Sequence, residues 1–326
     1  MKVRSYTPAD AGAVWTLWQA QAPAQGYAPL SRQRFARLVL GNPYFSPRYA
    51  FVLEQGGAVQ GFVCGAASSK LPAGAERGYF SCLLPGPGGE WAAGLLLGAL
   101  EGAFTAAGRV SCDALFFNPI RLPWVIPGTP GHTHNNAPGV WVEAPIYDWM
   151  LARGYAERTR ECAMYLRLGC FALPERQLYR QQGLAGAGYE VAFYDPARHT
   201  GLDEMLAVLG NQEWQAEIGR CAAQGQPFLV AALRGRAVGF AGPVRPEPGG
   251  RGYFTGIGVT PAHEGRGLGT LLFYRLCLAE QQAGAQYMSL FTGENNPARR
   301  IYESAGFAPV RSFAVLRKPL GNLSAP

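Results

Sequence analysis

No stretch of this 326-residue sequence is a block of basic residues, and no two cysteines are spaced Cys-x-x-Cys. The most apolar run, Trp91 to Phe104, is too short to cross a bilayer and is interrupted by Glu101. Each absence excludes something. The formal net charge of +7 suits anionic ligands, but the arginines are scattered, which disfavours a nucleic-acid partner. The seven cysteines are an odd number, and Cys64, Cys82, Cys162 and Cys277 sit in apolar segments as small hydrophobes, which argues against a disulfide framework. The first ten residues, Met1 to Asp10, carry no apolar run of the kind a signal peptide needs. The expected compartment is therefore the reducing cytoplasm, with no membrane partner.

What remains describes a globular chain. With 48% hydrophobic and 16% charged residues it can build packed cores, and its length accommodates two domains. Its chemistry centres on Val259 to Leu272. Before this stretch, Tyr253-Phe254-Thr255-Gly256-Ile257-Gly258-Val259 reads as a strand, with glycines where a backbone or ligand could approach closely. After it, Leu268, Leu271, Leu272, Leu276 and Ala279 follow helical spacing as far as Gly284. Between them lie Gly265, Arg266, Gly267 and Gly269. Such a turn opens a helix with several backbone N–H groups unpaired, which is a site for a phosphate or pyrophosphate.

Val259-x-Pro261-x-x-Glu264-Gly265-Arg266-Gly267-Leu268-Gly269 resembles the acyl-CoA pyrophosphate loop of the GNAT acetyltransferase superfamily. That loop is written Gln/Arg-x-x-Gly-x-Gly/Ala, so Glu264 departs from its first position. Downstream, Asn295-Asn296-Pro297-Ala298-Arg299-Arg300-Ile301-Tyr302-Glu303-Ser304-Ala305-Gly306-Phe307 resembles the second GNAT signature, Asn-x-x-Ala-x-x-x-Tyr-x-x-x-Gly-Phe. The resemblance covers roughly 228–318.

The order of elements is repeated along the chain. Thr7-Pro8-Ala9-Asp10 starts a helix, 31–40 is a second helical segment, and Tyr49 to Leu53 and Ala58 to Ala66 form a hairpin about Gly56-Gly57. The strand Arg77 to Leu84 and the apolar helix Trp91 to Ala107 follow. Later, Asp195-Pro196 starts a helix, Phe228 to Leu233 and Ala237 to Ala241 form a hairpin, and Arg251 opens another long strand. Arg-Gly-Tyr-Phe occurs at both Arg77 and Arg251, which marks an internal duplication at domain length. The chain resembles a tandem GNAT protein. The expected class is α/β (α+β), with two tandem GNAT-fold domains over 1–169 and 170–326. Each is expected to be a mixed, mostly antiparallel twisted sheet flanked by helices.

The copies differ chemically. The first has Pro85-Gly86-Pro87-Gly88-Gly89-Glu90 in place of the second's turn; Pro87 has no N–H to donate and Glu90 repels phosphate. Met150 stands where the second copy has Tyr302. The first copy is expected to be degenerate, supporting the fold and shaping a substrate groove. Within it, His132-x-His134 lies in a Gly/Pro-rich loop with no further metal-ligating His or Cys nearby, so no metal is expected.

In the second copy, acyl transfer needs a neutral amine, a polarised thioester oxygen and a proton for the departing thiolate. The resemblance implies acetyl-CoA as cosubstrate, held by the backbone of Glu264, Gly265, Arg266, Gly267, Leu268, Gly269 and Thr270. It also implies that Ile257, Gly258 and Val259 pair with the pantetheine arm, that Asn295 bonds to it, and that Tyr302 protonates the sulfur. The general base is open among His263, Glu264, Glu294, Glu213 and a water chain, because the strand carries no carboxylate. The expected function is acetyl-CoA-dependent N-acetylation of a primary amine, small molecule rather than protein, by direct attack in a ternary complex of a monomer or homodimer. The alternative is a non-catalytic acyl-CoA-binding or sensor protein.

Overall fold

Short, near-continuous apolar runs build an antiparallel hairpin in each half of the chain. In the computed structural model, which describes residues 1–114 and 118–321, the chain divides into two compact units. One is Met1–Ala163 together with the stretch from Val310; the other is Met164–Pro309.

In the first unit, β1 (Lys2–Ser5) leads into α1 (Ala11–Gln21) through a 3-10 turn, where Thr7 and Asp10 form a reciprocal capping box. The hairpin is β2 (Ala50–Gln55) and β3 (Ala58–Ala66). Its turn uses Gly56 and Gly57 at φ +57° and +80°, the left-handed pair that matches strand twist. β3 pairs antiparallel with β4 (Arg77–Leu84), α2 (Gly89–Ala106) follows, and β5 (Ser111–Ala114) runs parallel to β4 at Arg77–Tyr79. The strand Ala308–Pro319 completes this sheet, pairing Leu316 with Ala114. The sheet is covered on both faces. Leu53, Val63 and Leu83 pack against Leu96, Leu100 and Phe104, while Val52, Phe62 and Leu84 pack against Trp18 and Phe35. The helix expected over 31–40 is an α-helical turn, Arg32–Phe35, followed by a π-helical turn, Ala36–Leu40. α3 (Pro145–Ala152) carries Met150 inward.

The second unit opens with α4 (Glu175–Gly186) and β6 (Tyr189–Phe193). The helix expected from Asp195 begins only at Leu202. Asp195 instead closes a local turn, its carboxylate accepting from the Ala197 N–H at 2.9 Å, and Gly201 at φ +72° precedes the helix. α5 (Leu202–Leu209) and α6 (Gln212–Gln224) then lie over the hairpin of β7 (Leu229–Leu233) and β8 (Arg236–Gly242). Leu206, Ile218, Phe228, Val230 and Phe240 form the core between them. Short strands β9 (Arg245–Pro246), β10 (Arg251–Tyr253) and β11 (Gly256–Val259) precede α7 (Leu268–Gln282), β12 (Tyr287–Gly293) and α8 (Arg299–Ser304). β6-β7-β8-β11 is one antiparallel sheet; β10 pairs antiparallel with β9 and parallel with β12. Among the described residues no helix is long and apolar enough to cross a membrane.

Phe240 is fully buried and meets Trp214 edge to face at 5.3 Å. Phe240→Ala is expected to destabilise the second unit by about 3–5 kcal/mol, through lost burial and the cavity left behind. Urea unfolding followed by tryptophan fluorescence measures this directly.

Candidate active site

The site begins where one strand changes partners. β10 pairs with β12 at Arg251–Tyr287 and Gly252–Met288. The chain then crosses Phe254 and Thr255, and β11 pairs instead with β8 from Gly256–Gly242 to Val259–Gly239. The far edge of β11 has no strand partner among the described residues. The Thr260 N–H donates to Val238 O at 2.8 Å, which sets the phase of the ladder. Antiparallel alternation then turns Gly258 towards β8 and presents the backbone groups of Ile257 and Val259 at the open edge.

The strand glycines are required by packing. A Cβ on Gly256 would overlap the Trp214 indole, and one on Gly258 would stand 2.9 Å from Leu209 Cδ1. They bring α5 and α6 down onto β11, so the close approach expected at these glycines is made by side chains.

Beyond β11, a 3-10 turn (Pro261–His263) leads to Gly265 at φ +73° and Gly267 at φ +80°. Other residues rarely adopt these values, and they let the backbone curl before α7 starts at Leu268. The Glu264 N–H turns back to Pro261 O at 3.3 Å. From Gly265 to Thr270, the backbone N–H groups meet no acceptor among the described residues. Consecutive unpaired N–H groups at the start of a long helix form a concave cradle for an anion. Arg266 is exposed beside them, its guanidinium 5.9 Å from the Tyr189 ring. A second cation comes from α4: a Cβ on Gly267 would lie 2.7 Å from Arg180 Nε. Arg180 is steadied by donating from Nη1 to Gln177 Oε1 at 3.0 Å. Nothing in the local sequence marks Arg180, which reaches the turn only through the fold.

Tyr302 projects from α8 against Phe273, with ring centroids 4.8 Å apart, and is 8% exposed. No hydrogen bond or charge among the described residues shifts its hydroxyl; burial alone does. Burial raises its pKa above the ordinary tyrosine value, so the phenol stays a proton donor at neutral pH. Asn295 is exposed on the turn after β12, while Asn296 Oδ1 accepts from the Ala298 N–H at 3.0 Å and shapes the entry to α8. Of the residues weighed as bases, His263 Nδ1 is engaged with the Tyr189 hydroxyl at 2.9 Å, and Glu213, Glu264 and Glu294 are exposed. Cys277 is fully buried, and burial pushes its thiol well above the usual range.

The first unit treats the corresponding places differently. β4 leaves β5 after Tyr79, but Asn118 Nδ2 donates to Phe80 O at 3.0 Å, and Gln25 Nε2 donates to Leu83 O at 2.6 Å. In the turn that follows, the Gly86 N–H donates to Gln21 Oε1 at 2.8 Å. Side-chain amides of the same unit thus occupy its strand edge and its turn. In the loop before α3, His134 is buried with its ring stacked 6.1 Å from that of Trp124.

Residues 189–307 match the family model for the Acetyltransferase (GNAT) family. The matched segment is a GNAT-family domain. The GNAT match starts with β6, ends just past α8 and lies wholly within the second unit. A mycothiol acetyltransferase of Tsukamurella paurometabola is 40% identical over 85 residues, which cover 26% of this chain and 28% of that protein. A mycothiol acetyltransferase of Nocardiopsis dassonvillei is 29% identical over 90% of this chain and 89% of its own length. A solved tandem GNAT protein from the clavulanic acid biosynthesis pathway superposes on 98% of this chain and 98% of its own, with TM-score 0.56 and 17% identity. It shares the tandem GNAT fold.

The seclusion of Tyr302 is measurable. Ultraviolet titration of wild type minus Tyr302→Phe is expected to isolate a phenol with a pKa above 10, against the direction that a nearby cation would impose.

Proposed function

We propose that the second unit binds acetyl-CoA and transfers its acetyl group to the primary amine of a small molecule. One observation carries this reading. The open edge of β11 runs directly into the unpaired N–H groups of Gly265 to Thr270, with Arg266 and Arg180 alongside. The pyrophosphate sits in that cradle, where backbone dipoles and two guanidinium groups meet its charge. The pantetheine arm lies along Ile257, Gly258 and Val259 as an added strand, and Asn295 is free to bond to it. The amine attacks the thioester carbonyl directly, and the departing thiolate takes its proton from Tyr302. An acyl-cysteine route through Cys277 is disfavoured by complete burial and a raised thiol pKa.

The first unit, in this reading, holds no acyl-CoA, because Gln21, Gln25 and Asn118 already occupy the groups that would bind it. The name shared by two relatives supports mycothiol lacking its acetyl group as the first acceptor to test. A second reading, an acyl-CoA sensor without turnover, draws on one fact: Tyr253 to Val259 contains no carboxylate.

Calorimetric titration with acetyl-CoA is expected to give one site per chain; two sites would overturn the account of the first unit. Gly267→Asp is expected to abolish binding without unfolding the protein, and Arg180→Ala to weaken it about tenfold. Tyr302→Phe is expected to leave binding intact and slow turnover about 100-fold, read as thiol release. Unchanged binding in Gly267→Asp would sink the cradle, and unchanged turnover in Tyr302→Phe would remove the acid.

A further inference from the structure

The missing strand carboxylate is supplied from a neighbouring helix, an inference that rests on the acetyltransferase reading above. The gap between β11 and β12 closes at its apex, Tyr253 to Thr255, where the chain passes from one partner to the other. An acyl group carried along β11 away from the cradle arrives there. α6 covers this apex. Its Trp214 Nε1 donates to Thr255 O at 3.2 Å, and three residues on, Glu217 Oε2 accepts from the Tyr253 hydroxyl at 2.8 Å.

Charged groups on every side hold this pair in place. Glu217 Oε1 meets Arg220 Nη2 and Arg245 Nη2, both at 3.3 Å. Arg245 lies across the ladder from Tyr253, its guanidinium 4.3 Å from the ring centroid. Arg251 is 5.7 Å from the same ring and paired with Glu247 at 2.9 Å. From α7, Glu280 accepts from the Arg245 backbone N–H at 2.8 Å. Glu217 keeps 17% of its side chain exposed, so the pair exchanges protons with solvent while held rigidly.

We propose that Tyr253 and Glu217 act together as the proton acceptor for the incoming amine, with Tyr253 touching the nitrogen and Glu217 positioned behind it. The amine arrives as an ammonium ion. One proton passes to the Tyr253 oxygen as the Tyr253 proton moves to Glu217. The free amine attacks the thioester carbon; the C–N bond forms and the C–S bond breaks. The nitrogen releases its second proton to solvent, the thiolate takes one from Tyr302, and Tyr302 is replenished from solvent. The net release is the single proton on Glu217.

The test compares wild type, Glu217→Gln, Tyr253→Phe and the double variant, using a panel of small primary amines headed by the acceptor proposed above. Each single variant is expected to lose about 100-fold in kcat, with KM for acetyl-CoA and the melting temperature unchanged. The double variant should be no worse than either single one, because the two act as a unit. The low-pH limb of kcat/KM should move up to the amine's own pKa in every variant. Independently of turnover, Glu217→Gln should lower the pKa of the Tyr253 phenol, read as an ultraviolet difference against Tyr253→Phe. Variants within threefold of wild type, losses that multiply, or an unmoved phenol would overturn the pair. A wild type that binds acetyl-CoA yet acetylates none of the amines would overturn the parent reading instead.

Discussion

A β-strand has two edges, and its backbone groups must be met on both or left for something else to meet. In the second unit this constraint falls on residues 251–259. β10 is held by β12, β11 is held by β8, and Phe254 and Thr255, which belong to neither strand, separate them. Because these neighbours diverge, β11 is left with one edge unmet. Everything around that edge fits the consequence. Glycines at 256 and 258 admit Trp214 and Leu209, so α5 and α6 hold β11 against β8 from the inner face and keep the outer edge straight. The chain then curls through two left-handed glycines, and the start of α7 adds more unmatched donors at the end of the same edge. The open strand edge and the unmatched helix start therefore adjoin one another.

The first unit shows that the same topology does not guarantee the same outcome. β4 also parts from β5, after Tyr79. There the unmet carbonyls are taken by Asn118 and Gln25, and the turn's Gly86 N–H by Gln21. A side-chain amide carries a donor and an acceptor, so it imitates a passing backbone and closes the edge from within the unit. A ligand would first have to displace these partly buried bonds. The two units thus differ in that one strand edge is met by its own unit's side-chain amides and the other is not.

Much of this was legible in the sequence, and what was legible is local. Glycine spacing, a strand pattern before it and a helical pattern after it locate the turn, because the conformations involved belong to single residues. The first hairpin was legible for the same reason, through Gly56-Gly57. The start of α5 was not: Asp195-Pro196 is a good helix opening, yet the Asx turn at Asp195 and the left-handed Gly201 delay the helix to Leu202. Arg180 and Glu217 were also out of reach. Each sits on a helix among other charged residues, and only the packing of α4 and α6 brings one to the turn and the other to Tyr253. A search for a carboxylate within the strand misses a carboxylate delivered through space.

The departure at Glu264 follows from the same physics. On charge alone, a carboxylate where the family has Gln or Arg opposes an anion site. In the structure, however, Glu264 is exposed, and its own N–H is directed at Pro261. The cradle starts one residue later and is made of backbone, so the side chain at 264 enters only through long-range charge in water, where a pair of charges 4 Å apart is worth only about 1 kcal/mol. Arg266 in the turn and Arg180 beside Gly267 oppose that term with two positive charges. The acid at the first position leaves untouched the φ angles of Gly265 and Gly267 and the N–H groups of 265–270 that meet no acceptor among the described residues.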